Sequence, residues 1–265
     1  MKHKMQIVVM LILIAFSFNN ISYAGMLDDF ETSATKKKPK SENRNSTKSC
    51  QYKKRCNNSS DSFAELFVEM FAEMIGAVIR AGAQGTSART KMYKSSNYFE
   101  PRKIGSPLLP TLRLDLSSQS ISPNIQGNDF RIEVGESTTA VQFRATKYKE
   151  NSPTDSMDYV SAHGLYRLAF GNHVNFNLGV GASFLSGNKK TSGLSLTFPF
   201  YWHFHENMGI EYKPVITSFN KNIVTDQDLS VLFNYKAASI AVGYRKLSSV
   251  GEALSGPYIG FSLRR

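Results

Sequence analysis

Cysteine is nearly absent: the chain of 265 residues holds two, Cys50 and Cys56. They lie six positions apart in a lysine-rich polar segment with no histidine nearby, which is not a good zinc spacing. Two readings stay open, a small disulfide loop formed in an oxidising compartment or two free thiols, and the disulfide is preferred. Long apolar runs are also lacking beyond the first twenty positions. The rest of the chain therefore has no obvious transmembrane helix, which needs about 20 apolar residues. No catalytic motif of high specificity occurs, and no residue pattern calls for a cofactor or a metal.

The N-terminus has the three parts of a secretory signal peptide. Lys2 and Lys4 form a basic region, residues 6–18 an apolar one, and Ser22-Tyr23-Ala24 offers small residues at the −3 and −1 positions. Residues 1–24 are read as the signal and Gly25 as the new N-terminus. The apolar run is too short to span a bilayer as a helix. Acids are the minority charge, 21 against 32 basic residues, for a net charge of +11. Removing Lys2 and Lys4 leaves +9. That balance suits an anionic partner such as membrane lipid phosphates or lipopolysaccharide. Nucleic acid is not expected for an exported chain.

Three segments precede the main domain. Residues 25–61 are polar and basic, with KKKPK at 36–40, and read as a disordered tail that cannot bury enough apolar surface to offset its ordering entropy. Residues 62–85 carry Phe63, Leu66, Phe67, Met70, Phe71, Met74, Ile75, Val78 and Ile79 at helical spacing, opposite Glu65, Glu69 and Glu73. This is an amphipathic helix. Ser62 and Glu65 make a capping box, and Gly82 and Gly85 read as stop signals. Its acidic face argues against an anionic membrane surface. It is expected to pack on protein, either on the main domain or on a periplasmic partner. Residues 86–106 read as a linker.

From 107 to 265 the period changes from 3.6 to 2. Ten candidate strands are expected, at 108–118, 128–136, 139–149, 157–170, 173–186, 192–205, 207–219, 227–236, 239–248 and 257–264. Leu112, Leu114 and Leu116 oppose Arg113 and Asp115; Val174, Phe176, Leu178, Val180, Ala182 and Phe184 oppose Asn175, Asn177, Gly179, Gly181 and Ser183. Several runs exceed the usual soluble strand of about 5–6 residues and match the about 9–11 that a tilted membrane strand needs. Connections at 119–127, 149–157, 186–192, 219–227 and 248–257 read as long polar loops, and those near 136–139, 170–173, 205–207 and 236–239 as tight turns. Tyr159, Phe170, Phe184, Trp202, Phe204, Phe219 and Tyr258 are placed in interfacial girdles. The fold class expected is all-β, an antiparallel membrane β-barrel of 8–10 strands with both termini periplasmic.

On these strands, and on the alternation Tyr258-Ile259-Gly260-Phe261-Ser262-Leu263 of the last one, residues 107–265 resemble the small bacterial outer-membrane β-barrel proteins, the OmpA/OmpX-like group. The last strand is followed by Arg264-Arg265, where that family usually has a terminal aromatic. The resemblance implies an outer-membrane location, with the N-terminal tail periplasmic.

If the apolar faces meet lipid, Arg113, Asp115, Arg131, Glu133, Arg144, Arg167, Glu211, Lys213 and Arg245 face the lumen. They form either a salt-bridged interior that fixes register or a narrow anion-preferring pore; the first is preferred. His203, His205 and Glu206, in WHFHEN, are the weak catalytic candidates. They are distantly similar to an outer-membrane lipid A deacylase, but lack a serine two residues after the histidine. His163 and Glu211 are inward candidates for joining a metal, although no metal site is expected. Omptin-type proteases share only the strand number; Asp155 with Asp158, and Asp226 with Asp228, are placed in external loops. The leading expectation is a non-enzymatic envelope barrel with a structural, adhesive or complex-forming role. A lipid-modifying enzyme, a narrow pore and a soluble exported β-sandwich are the alternatives.

Overall fold

The computed structural model describes residues 25–35, 76, 79–86 and 112–264, apart from 137, 171–172, 206 and 221. Strands β1 (Leu112–Ser122), β2 (Ile125–Glu136), β3 (Thr139–Asn151), β4 (Thr154–Phe170) and β5 (Val174–Ser186) follow one another as antiparallel hairpins. The sixth stave is split into β6 (Lys190–Thr197) and β7 (Phe200–His205). Strands β8 (Met208–Phe219), β9 (Asn222–Tyr235), β10 (Ala238–Ser248) and β11 (Ala253–Arg264) follow, and β11 pairs with β1. The result is a closed barrel of ten staves.

The split has a local cause. Pro199 has no N–H to give to a ladder, while Phe198 N and Thr197 Oγ1 both donate to the Pro214 carbonyl, at 3.2 and 2.8 Å. β5 and β8 each pair with both halves, so the ring stays closed across the interruption.

Leu112 and Arg264 lie at one end of the barrel, the terminal end. At the opposite end the connections are 123–124, 152–153, 187–189, 220–221 and 249–252. Every connection at either end is two to four residues. The alternation of long and short loops expected from the sequence is therefore not present. Most of each segment expected as a long loop is strand, with only a turn of two to four residues at its tip. These strand ends alternate with reversed polarity, polar outside and apolar inside, which makes them look like polar loops in the sequence.

Over most of each stave the outward residues are apolar. Leu116, Phe130, Val141, Phe143, Val180, Leu194, Leu196, Leu229, Ile240, Ile259 and Phe261 are all exposed, Leu194 at 79%. Toward the non-terminal end the outward residues become Ser118, Ser120, Gln126, Asn128, Lys147, Lys149, Lys190, Gln227 and Lys246, all exposed. The inward residues there become Ile121, Ile125, Tyr148, Met157, Tyr159, Leu185, Phe219, Val224, Leu247 and Leu254, all buried. This polar-outside collar is a small barrel with an apolar core of the kind expected in water. Tyr159, Phe219 and Tyr258 point inward and are buried, so they belong to no girdle. Trp202 and Phe204 are outward at the terminal end, with rings 5.7 Å apart in an edge-to-face arrangement.

Helix α1 (Met26–Thr35) fills the collar. The sequence reading makes residues 25–61 a disordered tail; over 26–35 that is corrected. Leu27, Phe30 and Ala34 recur on one helical face and are fully buried among the inward collar residues. At ten residues the helix is marginal alone, and the barrel completes both of its ends. Glu150 accepts from Gly25 N and Leu27 N at 2.9 and 3.3 Å. Asn222 Nδ2 donates to the carbonyls of Ser33 and Ala34 at 3.2 and 3.3 Å, and Asn220 Nδ2 to that of Thr35 at 3.4 Å. These are the groups that a helix end leaves without partners. Glu31, also buried, accepts from the backbone of Asn188 at 2.9 Å and from that of Lys189.

A second helix, α2, covers residues 79–86. The expected helix over 62–85 otherwise lies outside the described residues, as do the linker, the signal segment and the Cys50–Cys56 pair. Gly82 and Gly85 are not stop signals, because the helix runs through both. They let it touch the barrel: a Cβ on Gly82 would lie 2.6 Å from Leu168 Cβ, and one on Gly85 2.1 Å from the Ala169 carbonyl oxygen. Thr86 Oγ1 donates to the Arg167 carbonyl at 3.0 Å. α2 thus packs on β4 at the terminal end, while α1 sits at the other.

Candidate functional site

The lumen below the collar is lined by charge because the period of two turns alternate residues of each stave inward. Arg113 and Asp115 on β1, Arg131 and Glu133 on β2, Arg144 on β3, Arg167 on β4, Glu211 and Lys213 on β8 and Arg245 on β10 all point into it. Three carboxylates missing from the expected set join them: Asp129 on β2, and Asp226 and Asp228 on β9. The latter two are not in an external loop, as the sequence leads one to expect. They are 0% and 2% exposed inside the barrel, because β9 starts at Asn222 and puts even-numbered residues inward.

Two clusters result. Nearer the terminal end, Arg113 Nη2 lies 2.8 Å from Glu211 Oε2 and its Nε 2.8 Å from Asp115 Oδ1. Arg131 Nη2 lies 3.0 Å from Glu211 Oε1, and its Nε donates to Asp115 Oδ2 at 2.6 Å. The Tyr201 hydroxyl also meets Arg113, whose guanidinium carbon is 5.1 Å from the centre of that ring. Nearer the collar, Arg144 contacts Asp129, Asp226 and Asp228 at 2.8, 3.4 and 3.1 Å. Arg245 contacts Asp226 and Asp129 at 2.7 and 3.0 Å. Tyr258 donates to Asp228, and Thr146 to Asp129.

Lys213 joins the clusters, with Nζ 3.4 Å from Glu211 and 3.2 Å from Asp228. Arg167 and Glu133 form a separate pair at 2.7 Å. Six cations thus meet six carboxylates in ion pairs among the described residues. Arg264, opposite Arg113 in the β1–β11 ladder and with its guanidinium carbon 5.8 Å from the centre of the Tyr201 ring, adds a seventh lumen cation that has no ion pair among the described residues, so the excess of positive charge is small and sits at the terminal end. Above it, the apolar collar and α1 close the barrel.

The weak catalytic candidates are not gathered into a site. His203 is buried and inward on β7, whereas His205 is exposed beside the turn, and the register slips between Trp202 and His205. His205 Nδ1 accepts from Asn207 N at 3.3 Å, as a turn residue does. Glu206 lies outside the described residues. No group of three or more His, Cys, Asp or Glu side chains able to hold a metal occurs among the described residues.

One serine–histidine contact does exist, elsewhere in the chain. His163, Gly181 and Ser195 form one row across β4, β5 and β6. The missing side chain at Gly181 lets His163 Nε2 reach Ser195 Oγ at 2.8 Å. Both residues are buried in the lumen, 3% and 1% exposed, with no approach for a lipid ester from outside. The arrangement locks three staves together rather than presenting a nucleophile.

No protein-family model matches the chain, and no curated protein matches its sequence.

Proposed function

We propose that this protein is an integral barrel of a Gram-negative-type outer membrane, of the OmpA/OmpX-like kind, that serves as a closed structural or complex-forming element of the envelope rather than as a channel or an enzyme. One observation carries this reading: the barrel is apolar outside and charged inside over the same stretch of stave. A closed barrel satisfies every backbone group internally, as hydrocarbon demands. From Val174 to Phe184, β5 alone presents an apolar outward face over the length a tilted strand needs to cross. Water-soluble chains rarely expose contiguous apolar surface on this scale.

The collar supports an orientation. In such membranes both barrel termini face the periplasm, so the polar collar with its α1 core projects outward as a rigid, short-looped rim, and residues 25–35 lie at the outer face, whereas the resemblance implies a periplasmic tail. The outward lysines Lys147, Lys149, Lys190 and Lys246 sit just beyond the apolar band, where lipid phosphates lie. The tight connections suit a scaffold or a flat contact surface better than long adhesive loops. The ion-paired side chains that cross the lumen and the stopper above them weigh against the pore, and the scattered histidines against the lipid-modifying enzyme.

Fractionation of cells expressing the protein, with unboiled and boiled gel electrophoresis, tests the reading. Recovery in the outer membrane with a heat-shifted band is expected. A soluble periplasmic protein without that shift would sink it.

A further inference from the structure

Glu150 is buried at 2% exposure, at the collar end of β3. Among the described residues, no lysine or arginine side chain lies within ion-pair distance of it. The buried carboxylates of the lumen differ: Glu133, Glu211, Asp226 and Asp228 each face a cation. Glu31, the other buried carboxylate of the collar among the described residues, is met by the backbone N–H groups of Asn188 and Lys189. Glu150 is met by Gly25 N at 2.9 Å and Leu27 N at 3.3 Å. Burying a carboxylate without a counter-charge is costly, and two amide donors offset only part of that cost.

The nitrogen nearest to Glu150 is the one at which the sequence places a cleavage. Ser22 and Ala24 stand at −3 and −1, so removal of the signal makes Gly25 the first residue. The two observations are independent, one read from residue sizes in the leader and the other from a distance inside the barrel. We propose that Glu150 is the receptor for the N-terminal ammonium group that signal removal creates, so that processing supplies the counter-charge this carboxylate lacks. The inference rests on the export reading. The chemistry is hydrolysis by a signal peptidase. The Ala24–Gly25 amide bond breaks, water gives its oxygen to the Ala24 acyl group as a carboxylate, and the released nitrogen holds three hydrogens as an ammonium. An α-amine with a pKa of about 7.7–8 is already mostly charged at neutral pH, and its contact with a carboxylate is a charge-assisted hydrogen bond, stronger than an amide's. Gly25 is the residue directly ahead of α1. The same atom then both starts α1 and anchors it.

The test uses the processed full chain, refolded or extracted in detergent. Its intact mass must correspond to a start at Gly25. An α-amine-selective acylating reagent is then applied at neutral pH to wild type, to Glu150→Gln and to a chain that retains Ala24 ahead of Gly25. The wild-type amine is expected to react about tenfold more slowly than in either variant, because a charge-assisted contact must open first. If the chain starts at Gly25 and its amine reacts as fast as in both variants, the inference is overturned while the export reading stands. Cleavage at another bond overturns the inference and leaves the export reading standing, and a chain that keeps residues 1–24 overturns both. Where Glu150→Gln gives no heat-shifted barrel, the comparison runs between wild type and the chain retaining Ala24, which leaves Glu150 in place. Equal protection in those two overturns the proposal.

Discussion

Arg131 on β2 and Glu211 on β8 stand five staves apart in a ring of ten, and their side chains meet at 3.0 Å across the lumen. Arg144 on β3 and Asp228 on β9 do the same at 3.1 Å. These contacts act as struts between opposite walls. Glu211 serves Arg113, Arg131 and Lys213 together, so Glu211→Ala leaves three buried cations short of a partner. A loss of about 3–5 kcal/mol is expected. It is to be read as a fall in the midpoint of denaturant unfolding followed by heat-modifiable mobility. An unchanged midpoint would contradict the strut role.

The stopper has its own prediction. Phe30 is fully buried in the collar, and Phe30→Ala should cost α1 about 3–5 kcal/mol of docking. Hydrogen exchange of 26–35 should rise sharply while the β1–β11 ladder stays protected. Parallel loss of protection in both would mean that the collar and the barrel unfold as one unit.

The outer surface should respond to charge by depth. Val180→Arg, in the middle of the apolar band, is expected to cost about 2–4 kcal/mol of folding into lipid vesicles. Ser120→Arg, on the polar collar, should fall within about 0.5 kcal/mol. Equal effects at both sites would argue against an embedded band.

Reconstituted in a planar bilayer, the wild-type protein should be silent at all voltages. Steady single-channel openings would show that the paired charges and the α1 stopper leave a water path.

His203→Ala should leave the acylation pattern of lipid A unchanged in cells. Its place on β7 separates it from the His163–Ser195 contact, and His205 beside it faces the turn. A changed pattern would revive the enzyme reading.

The staves were legible because an apolar face every second residue is a strong signal, as in Val174 through Phe184 or Ile259, Phe261 and Leu263. Their outer ends were not, because there the apolar residues are the inward ones. Val224 and Leu254 look like stray hydrophobics in polar loops until α1 gives them a core. α1 itself was hidden by averaging. Asp28, Asp29 and Glu31 make residues 26–35 polar on the whole, while Leu27, Phe30 and Ala34 carry the burial. The lumen set follows from parity; it lacks Asp226 and Asp228 because a strand start is misplaced, and Asp129 and Arg264 although both share the inward parity of their expected strands. The His163–Ser195 contact depends on a glycine between them in space, a relation with no trace along the chain.

The stopper also sets an order of events. α1 lies near the start of the chain and is synthesised early, yet the residues that receive it run from Ile121 on β1 to Leu254 on β11. Its hydrogen bonds to Asn222 reach across 188 and 189 positions. Closure over so long a separation is rewarded only after the intervening staves have paired. The earliest segment to be made is thus the last to be placed, and assembly finishes where translation began.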